Sequence, residues 1–165
     1  MYFACMINVL FVCLGNICRS PLAEGIFNHH LDKQGVSHLF MADSAGTNSF
    51  HIGELPDPRS RDVAADNGID LVHKARAVHQ TDFEKFHVLV AMDENNHRDL
   101  LRMKPESSES KVVLMREFEL NATYNSVPDP YYGNKKDFEQ VFEILHGCMP
   151  HFVNWLVQYY HQGQK

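Results

Sequence analysis

No stretch of the 165-residue chain is apolar for long enough to span a bilayer as a helix. Positive charge is scarce. Fifteen Lys and Arg against twenty-one Asp and Glu leave a net charge of −6, so the basic footprint of a nucleic-acid-binding surface is missing. Cysteine is sparse as well: four residues at irregular spacing do not make a disulfide framework in a chain of this size. Eleven histidines are many, but none stands in an H-x-x-x-H or Cys/His spacing that would hold a metal, so no metal is expected. Internal repeats, linkers and low-complexity tracts are also lacking. The apolar stretch Met1 to Leu14 has no basic region ahead of it, as a secretory signal would require. The expected location is therefore cytoplasmic, where a reactive thiol stays reduced.

What is present suits a single domain over residues 1–165: 44% hydrophobic and 22% charged residues, with length enough for a substantial core. The chain is organised around Val9-Leu10-Phe11-Val12-Cys13-Leu14-Gly15-Asn16-Ile17-Cys18-Arg19-Ser20-Pro21. An apolar strand ends in a thiol, five residues form a tight loop, and Arg-Ser-Pro opens a helix, proline being favoured in a first helical turn. Successive N–H groups in such a turn point inward as a nest for oxyanions. The helix N-terminus adds unpaired donors and the positive end of its dipole. Arg19 can grip two anion oxygens with its planar fork. In that field the Cys13 thiol should ionise readily. A thiolate at the floor of a phosphate cradle is a nucleophile for phosphorus.

This stretch, with its C-x5-R-S signature inside the first twenty residues, resembles the low-molecular-weight protein tyrosine phosphatase family. The resemblance extends from about Ile7 to Val157 and implies a phosphate loop made of Cys13, Leu14, Gly15, Asn16, Ile17, Cys18, Arg19 and Ser20. It also implies hydrolysis of phosphotyrosine and small aryl phosphates without a cofactor.

The rest of the pattern alternates strands with helices. Apolar periodicity and caps predict strands at Ile7–Val12, Leu39–Asp43, His87–Met92 and Lys111–Met115. Helices are predicted from Ser20 to Lys33, from Pro58 to Asn67 behind an Asp57 cap, after Thr81, after Asp93, and from Lys135 to about Tyr160. Pro150 lies inside the last apolar stripe, which predicts a kink or break there. The expected fold is α/β: one three-layer domain with a four-stranded parallel sheet flanked by helices and the phosphate-binding loop after the first strand. The loops at Ser44, Asp93 and Asp129 should then gather with the Cys13 loop at the carboxyl end of the sheet, where ligands bind in such folds.

Expelling an oxygen leaving group needs an acid. The stretch Val127-Pro128-Asp129-Pro130-Tyr131-Tyr132-Gly133 offers Asp129, stiffened by two prolines. By composition alone it is an ordinary surface turn. Beside a thiolate cradle it becomes the acid, and the resemblance implies the same. The family likeness further implies that Asn16, Ser20, Ser44 and His73 form a hydrogen-bond network supporting the loop. It implies that Phe50, Tyr131 and Tyr132 line the substrate cleft, and that Cys18 is a protective redox partner of Cys13. Cys5 and Cys148 read as small core residues, Asp93 as a helix cap, and Asp57-Pro58-Arg59 as capping only. Expected partners are phosphotyrosine-containing proteins, with phosphate and other oxyanions as competitive ligands and neither nucleic acid nor membrane. The expected state is a monomer or weak dimer.

Two same-fold chemistries compete with this reading. Arsenate reduction needs resolving thiols that reach Cys13, and only Cys5, Cys18 and Cys148 are available. Phosphoarginine hydrolysis, in the related enzymes, goes with a threonine where this chain has Ile17. A phosphate-binding module without turnover would not need Cys13, Arg19 and Asp129 together.

Overall fold

The computed structural model describes residues 5–162. The beginning of the apolar Met1–Leu14 stretch, residues 1–4, and residues 163–165 at the end lie outside it. Four strands form one parallel sheet: β1 (Ile7–Cys13), β2 (Phe40–Gly46), β3 (Val88–Ala91) and β4 (Lys111–Leu114), in the order β2-β1-β3-β4. β1 is paired on both sides, Phe11 standing opposite Ser44 of β2 and Val90 of β3. It is therefore a near-continuous apolar run, buried on both faces. Val9, Phe11 and Cys13 point to one face, and Leu10 and Val12 to the other.

Among the described residues five α-helices cover the sheet: α1 (Arg19–Gln34), α2 (Pro58–Asp66), α3 (Asp82–Lys85), α4 (Glu94–Met103) and α5 (Lys135–Val157). On the Phe11 face α1 and α5 supply Leu22, Phe27, Leu145 and Phe152. The rings of Phe27 and Phe152 lie 5.3 and 5.9 Å from that of Phe11, edge-on. Each fully buried aromatic of this kind contributes about 2–3 kcal/mol of burial, which anchors both helices on the central strand. On the other face Phe83 of α3 and Leu100 of α4 pack on Leu10, Val12 and Leu89. This is the expected three-layer arrangement.

Helix ends follow the caps in the sequence. α1 stops at Gly35, whose left-handed φ of 69° lets its N–H bond back into the last turn. Asp57 accepts from the Arg59 N–H at the start of α2, Asp93 from Asn96 at the start of α4, and Asn134 from Lys136 at the start of α5. The segment after β4 opens with a 3-10 turn over Met115–Phe118 and continues irregularly to Asn134.

One expectation is narrowed and one corrected. Of the kink or break expected at Pro150, the break does not occur: α5 runs through it to Val157 and continues as one π turn over Gln158–Gln162. Pro150 and His146, whose carbonyl loses its helical partner, both lie on the solvent face, where water can replace the missing hydrogen bond. Cys5 is exposed, not core. It precedes the first paired residue of the sheet, Ile7, and so lies ahead of the strand that the neighbouring elements cover. Cys148 is fully buried on the inner face of α5, as expected.

Candidate active site

With strand order β2-β1-β3-β4, the connection after β1 runs to β2 on one side and the connection after β2 crosses to β3 on the other, so the crevice beyond the end of β1 is the topological switch point. The Cys13 loop fills it. A cleft of about 300 Å³ opens above, lined by Cys13, Ile17, Arg19, Phe50, His51 and Asp129, with Tyr131 and Tyr132 at its rim.

The loop is built from its backbone outward. Asn16 takes a left-handed φ of 57°, which costs about 1–2 kcal/mol for a residue with a side chain. Its own amide holds it there. Oδ1 accepts from the Arg76 backbone N–H at 2.9 Å and meets His73 Nε2 at 2.7 Å; Nδ2 donates to Ser20 Oγ at 2.8 Å and Ser44 Oγ at 3.0 Å. Because the Arg76 N–H can only donate, Oδ1 is an acceptor and His73 Nε2 carries a proton. Ser20 Oγ, already accepting from Asn16, can turn its hydrogen toward Cys13 Sγ at 3.0 Å, and the Asn16 N–H donates to the same sulfur at 3.3 Å. Of the four residues expected to form the supporting network, Ser20, Ser44 and His73 thus each bond to Asn16. Gly46 passes so close beneath the loop that a Cβ there would sit 2.8 Å from the Leu14 carbonyl oxygen, which only glycine tolerates.

α1 begins at Arg19 without a capping side chain and without an acidic residue in its first turn. Its leading N–H groups point toward the loop and carry the positive end of the helix dipole. Arg19 is almost completely buried, 2% exposed, and held by its Nη1 to Asp93 Oδ2 at 2.7 Å and the Val127 carbonyl at 3.0 Å. Among the described residues its Nε makes no hydrogen bond, leaving that edge of the fork for an anion. Burial works against its charge, but Cys13, Asp129 and Asp93 outweigh this and hold its pKa above the ordinary value. Asp93 is therefore more than a cap: one oxygen caps α4 while the other orients Arg19.

Asp129 lies across the cleft, 44% exposed, with Oδ2 at 3.5 Å from Arg19 Nη2 and Oδ1 accepting from the Tyr131 N–H at 3.2 Å. Arg59 steadies its loop by donating to the Tyr131 carbonyl at 3.0 Å and the Gly133 carbonyl at 2.8 Å. Its guanidinium is paired in turn with Asp57 at 2.9 Å, and that hydrogen-bonded pairing holds the Asp57 carboxyl below its usual value. The Asp-Pro-Arg triplet therefore reaches the acid loop as well as capping α2, a contact that spans more than seventy residues of sequence and leaves no local signal.

Phe50 is 83% exposed on one side of the cleft. Tyr131 lines the same cleft, half-exposed, with Tyr132 almost wholly in solvent and edge-on to it at 5.0 Å. His51, which sequence reasoning left unassigned, lies beside Gly15, where an added Cβ would come within 3.0 Å of its ring, and it pairs with Glu54 at 2.8 Å. Cys18 is buried at the shoulder of the loop. Burial, reinforced by Asp57, Cys13 and Asp129, pushes its thiol far above the usual range. Both Cys13 and Cys18 are free thiols.

Residues 8–160 match the model of the low molecular weight phosphotyrosine protein phosphatase family. The chain is 45% identical to the low molecular weight phosphotyrosine protein phosphatase of Schizosaccharomyces pombe, covering 80% of this chain and 85% of that one. It is 44% identical to a low molecular weight protein-tyrosine-phosphatase of Streptomyces coelicolor, covering 84% and 86%. Its fold superposes on the crystal structure of a protein tyrosine phosphatase from Entamoeba histolytica, solved with Hepes in its active site. The TM-score is 0.88 at 36% identity, over 96% of this chain and 99% of that one.

Proposed function

The chain belongs to the low molecular weight phosphotyrosine protein phosphatase family, and on that footing we propose a residue-by-residue mechanism for its hydrolysis of phosphotyrosine and small aryl phosphates. The observation that carries it is the placement of three groups in one cleft: the Cys13 sulfur at the loop floor, the Arg19 fork beside it, and the Asp129 carboxyl opposite. Cys13 attacks phosphorus as the thiolate, with the Asn16 N–H and Ser20 hydroxyl as donors to the sulfur. The S–P bond forms as the P–O bond to the aryl group breaks, and Asp129 gives its proton to the leaving oxygen. Asp129, now ionised, takes a proton from water as that water attacks the phosphocysteine, releasing phosphate and restoring the thiolate. Arg19, the loop N–H groups and the start of α1 hold the charge on the three equatorial oxygens throughout.

The whole chain serves as one catalytic domain acting on phosphotyrosine-containing proteins, with phosphate and related oxyanions as competitive ligands. Phe50 and Tyr131 supply apolar faces for an aryl ring, and apolar Ile17 at the cleft floor suits that ring better than a guanidinium. An arsenate-type thiol relay is poorly served here. Cys148 is fully buried, and the length of β1, about 20 Å at strand rise, separates Cys5 from Cys13. Cys18 alone stands close by in sequence. We assign it to the condensation of an oxidised Cys13 sulfenic acid into a disulfide, with loss of water.

No helix among the described residues is long and apolar enough to cross a membrane, which leaves the cytoplasmic assignment as our proposal.

The test is a substrate panel run on wild type and Cys13→Ser: phosphotyrosine, phosphoserine and phosphoarginine peptides, and arsenate with a thiol reductant. Wild type should act on phosphotyrosine far faster than on the others. Cys13→Ser should lose roughly 10⁴-fold or more in turnover while still binding phosphate, because the cradle survives the change. Near wild-type turnover by Cys13→Ser would reject the nucleophile assignment.

A further inference from the structure

Large apolar side chains left in solvent are not spread evenly over this molecule. Of twelve such side chains among the described residues, six stand on three short segments around the cleft: Leu14 on the Cys13 loop, Phe50, Ile52 and Leu55 on the segment after β2, and Tyr131 and Tyr132 on the acid side. Isolated exposed apolar groups are ordinary, but a cluster of them bordering a binding cleft marks a surface that meets a partner. Phe50, Tyr131 and Tyr132 line the cleft itself. Ile52, 61% exposed, and Leu55, 49% exposed, lie outside that lining, where an aryl phosphate held on the loop floor gives them nothing to do.

The segment that carries them is fixed in place. Its start is tied to the Cys13 loop by the Asn48 N–H, which donates to the Leu14 carbonyl at 3.0 Å, and its end by the Asp57 N–H, which donates to the Ile17 carbonyl at 2.8 Å. Between these, the Gly53 N–H donates to the Ala75 carbonyl and the Ala75 N–H to the Glu54 carbonyl, both at 2.8 Å. The apolar groups therefore keep a set position relative to the Cys13 sulfur, and a partner that covers them pays little for ordering the enzyme's backbone.

We propose that Ile52 and Leu55, on the same segment as the cleft-wall residue Phe50, select phosphotyrosines that have a bulky apolar residue within two positions along the substrate chain. The inference rests on the phosphotyrosine reading of the cleft and names the protein substrates that it prefers. With the phosphoryl group on the loop floor, the substrate's main chain crosses the mouth of the cleft in a register set by the chemistry. In an extended chain the residue two positions away points to the same side as the phosphotyrosine and lies about 7 Å along. It then comes down on the rim beyond Phe50.

The charges at the mouth do not favour an acidic neighbour instead. Of the groups lining the cleft, Arg19 is buried, Asp129 is a carboxylate, and His51 is paired with Glu54. No exposed Lys or Arg is among the described lining residues. An acidic side chain finds no free partner there, whereas an apolar one finds surface to cover.

The experiment measures kcat/KM on a set of phosphotyrosine peptides. Alanine at each of the two positions on either side is replaced in turn by Leu, Phe or Glu, and p-nitrophenyl phosphate serves as the substrate without neighbours. Expected is a gain of about fivefold or more from Leu or Phe at one or more of these positions, and none from Glu. The double variant Ile52→Ser Leu55→Ser should reduce that gain below about twofold while turning over p-nitrophenyl phosphate as wild type does, a contrast that misfolding cannot produce. Equal kcat/KM across the peptides, with normal turnover of p-nitrophenyl phosphate, would overturn the preference and leave the phosphatase reading standing. A preference that the double variant keeps in full would take it away from this rim. Specific activity that falls as enzyme concentration rises, and recovers in the double variant, would assign the rim to a second copy of the chain, against the proposal. Failure on every aryl phosphate would overturn both readings.

Discussion

The Cys13 loop and the segment from Val127 to Gly133 face each other across one cleft, yet they are held by different means. The loop is buried. Its one strained residue, Asn16, is fixed by four side-chain hydrogen bonds, and Gly46 closes in beneath it. The opposite segment is tied firmly only at its start, where Val127 is held by the Met92 carbonyl and by Arg19. Beyond that Asp129, Tyr131 and Tyr132 stand in solvent, and Arg59 is the tether. The difference matches the tasks of the two sides. Binding the spreading charge of a transition state requires donors already in place. Delivering a proton to leaving groups of varied shape allows, and profits from, a more loosely held acid.

Removing the acid is the severest test of the exposed side. Asp129→Ala should lower kcat by about 10²–10³-fold for poor leaving groups and much less for good ones, read from a series of aryl phosphates of graded leaving-group pKa. A flat series would mean that Asp129 is not the acid. Next in size is the rigid side. Asn16→Ala keeps the left-handed φ but removes all four bonds, so it should cost about 2–4 kcal/mol in denaturant unfolding. It should also reduce kcat/KM by about tenfold or more. Unchanged stability would show that the loop does not need its network.

Loosening the tether sharpens the contrast. Arg59→Ala should cost about tenfold in kcat, concentrated on poor leaving groups as for Asp129→Ala, while phosphate affinity stays near wild type because the loop is untouched. A loss of phosphate affinity with no leaving-group dependence would contradict the tether. The smallest effect is on acid stability. The Asp57 carboxyl is held below its ordinary value, first by the Arg59 hydrogen bond, so its contribution is complete above the unfolded value near 3.8 and is lost as pH falls through the lower folded value. Asp57→Asn should therefore lower stability by about 1 kcal/mol at pH 6, with the gap to wild type closing in the acid range. A gap that stays constant down to pH 2 would assign the loss to something other than this charge.

Most of the fold and the attacking side of the site could be read from the chain because their signals are contiguous. An apolar run, C-x5-R-S and a proline occupy thirteen residues, and the caps at Asp57, Asp93 and Asn134 sit beside the helices that they start. What stayed hidden depends on side chains far apart in sequence. Asp93 meets Arg19 across 74 residues, and Arg59 reaches Gly133 across the same separation. Residue type misled at Cys5, where the usual burial of cysteine was overruled by a position ahead of the sheet. At Pro150 the sequence left kink and break both open, and solvent made the lost hydrogen bond cheap enough for the helix to continue.

α1 starts without a side-chain cap, whereas α2, α4 and α5 each have one. On the proposed mechanism its leading N–H groups are satisfied by the anion in the loop, and the reaction's substrate, intermediate and product each take the place of a missing residue of the fold. Product inhibition and conformational stability become two readings of a single equilibrium. At phosphate a hundred times its Kd, the native state gains about 2.7 kcal/mol, and in a domain of this size each kilocalorie raises Tm by roughly 2–4 °C. A melting curve in phosphate thus measures the same constant that an inhibition assay does, and a cell's inorganic phosphate sets how much of the enzyme is both idle and protected.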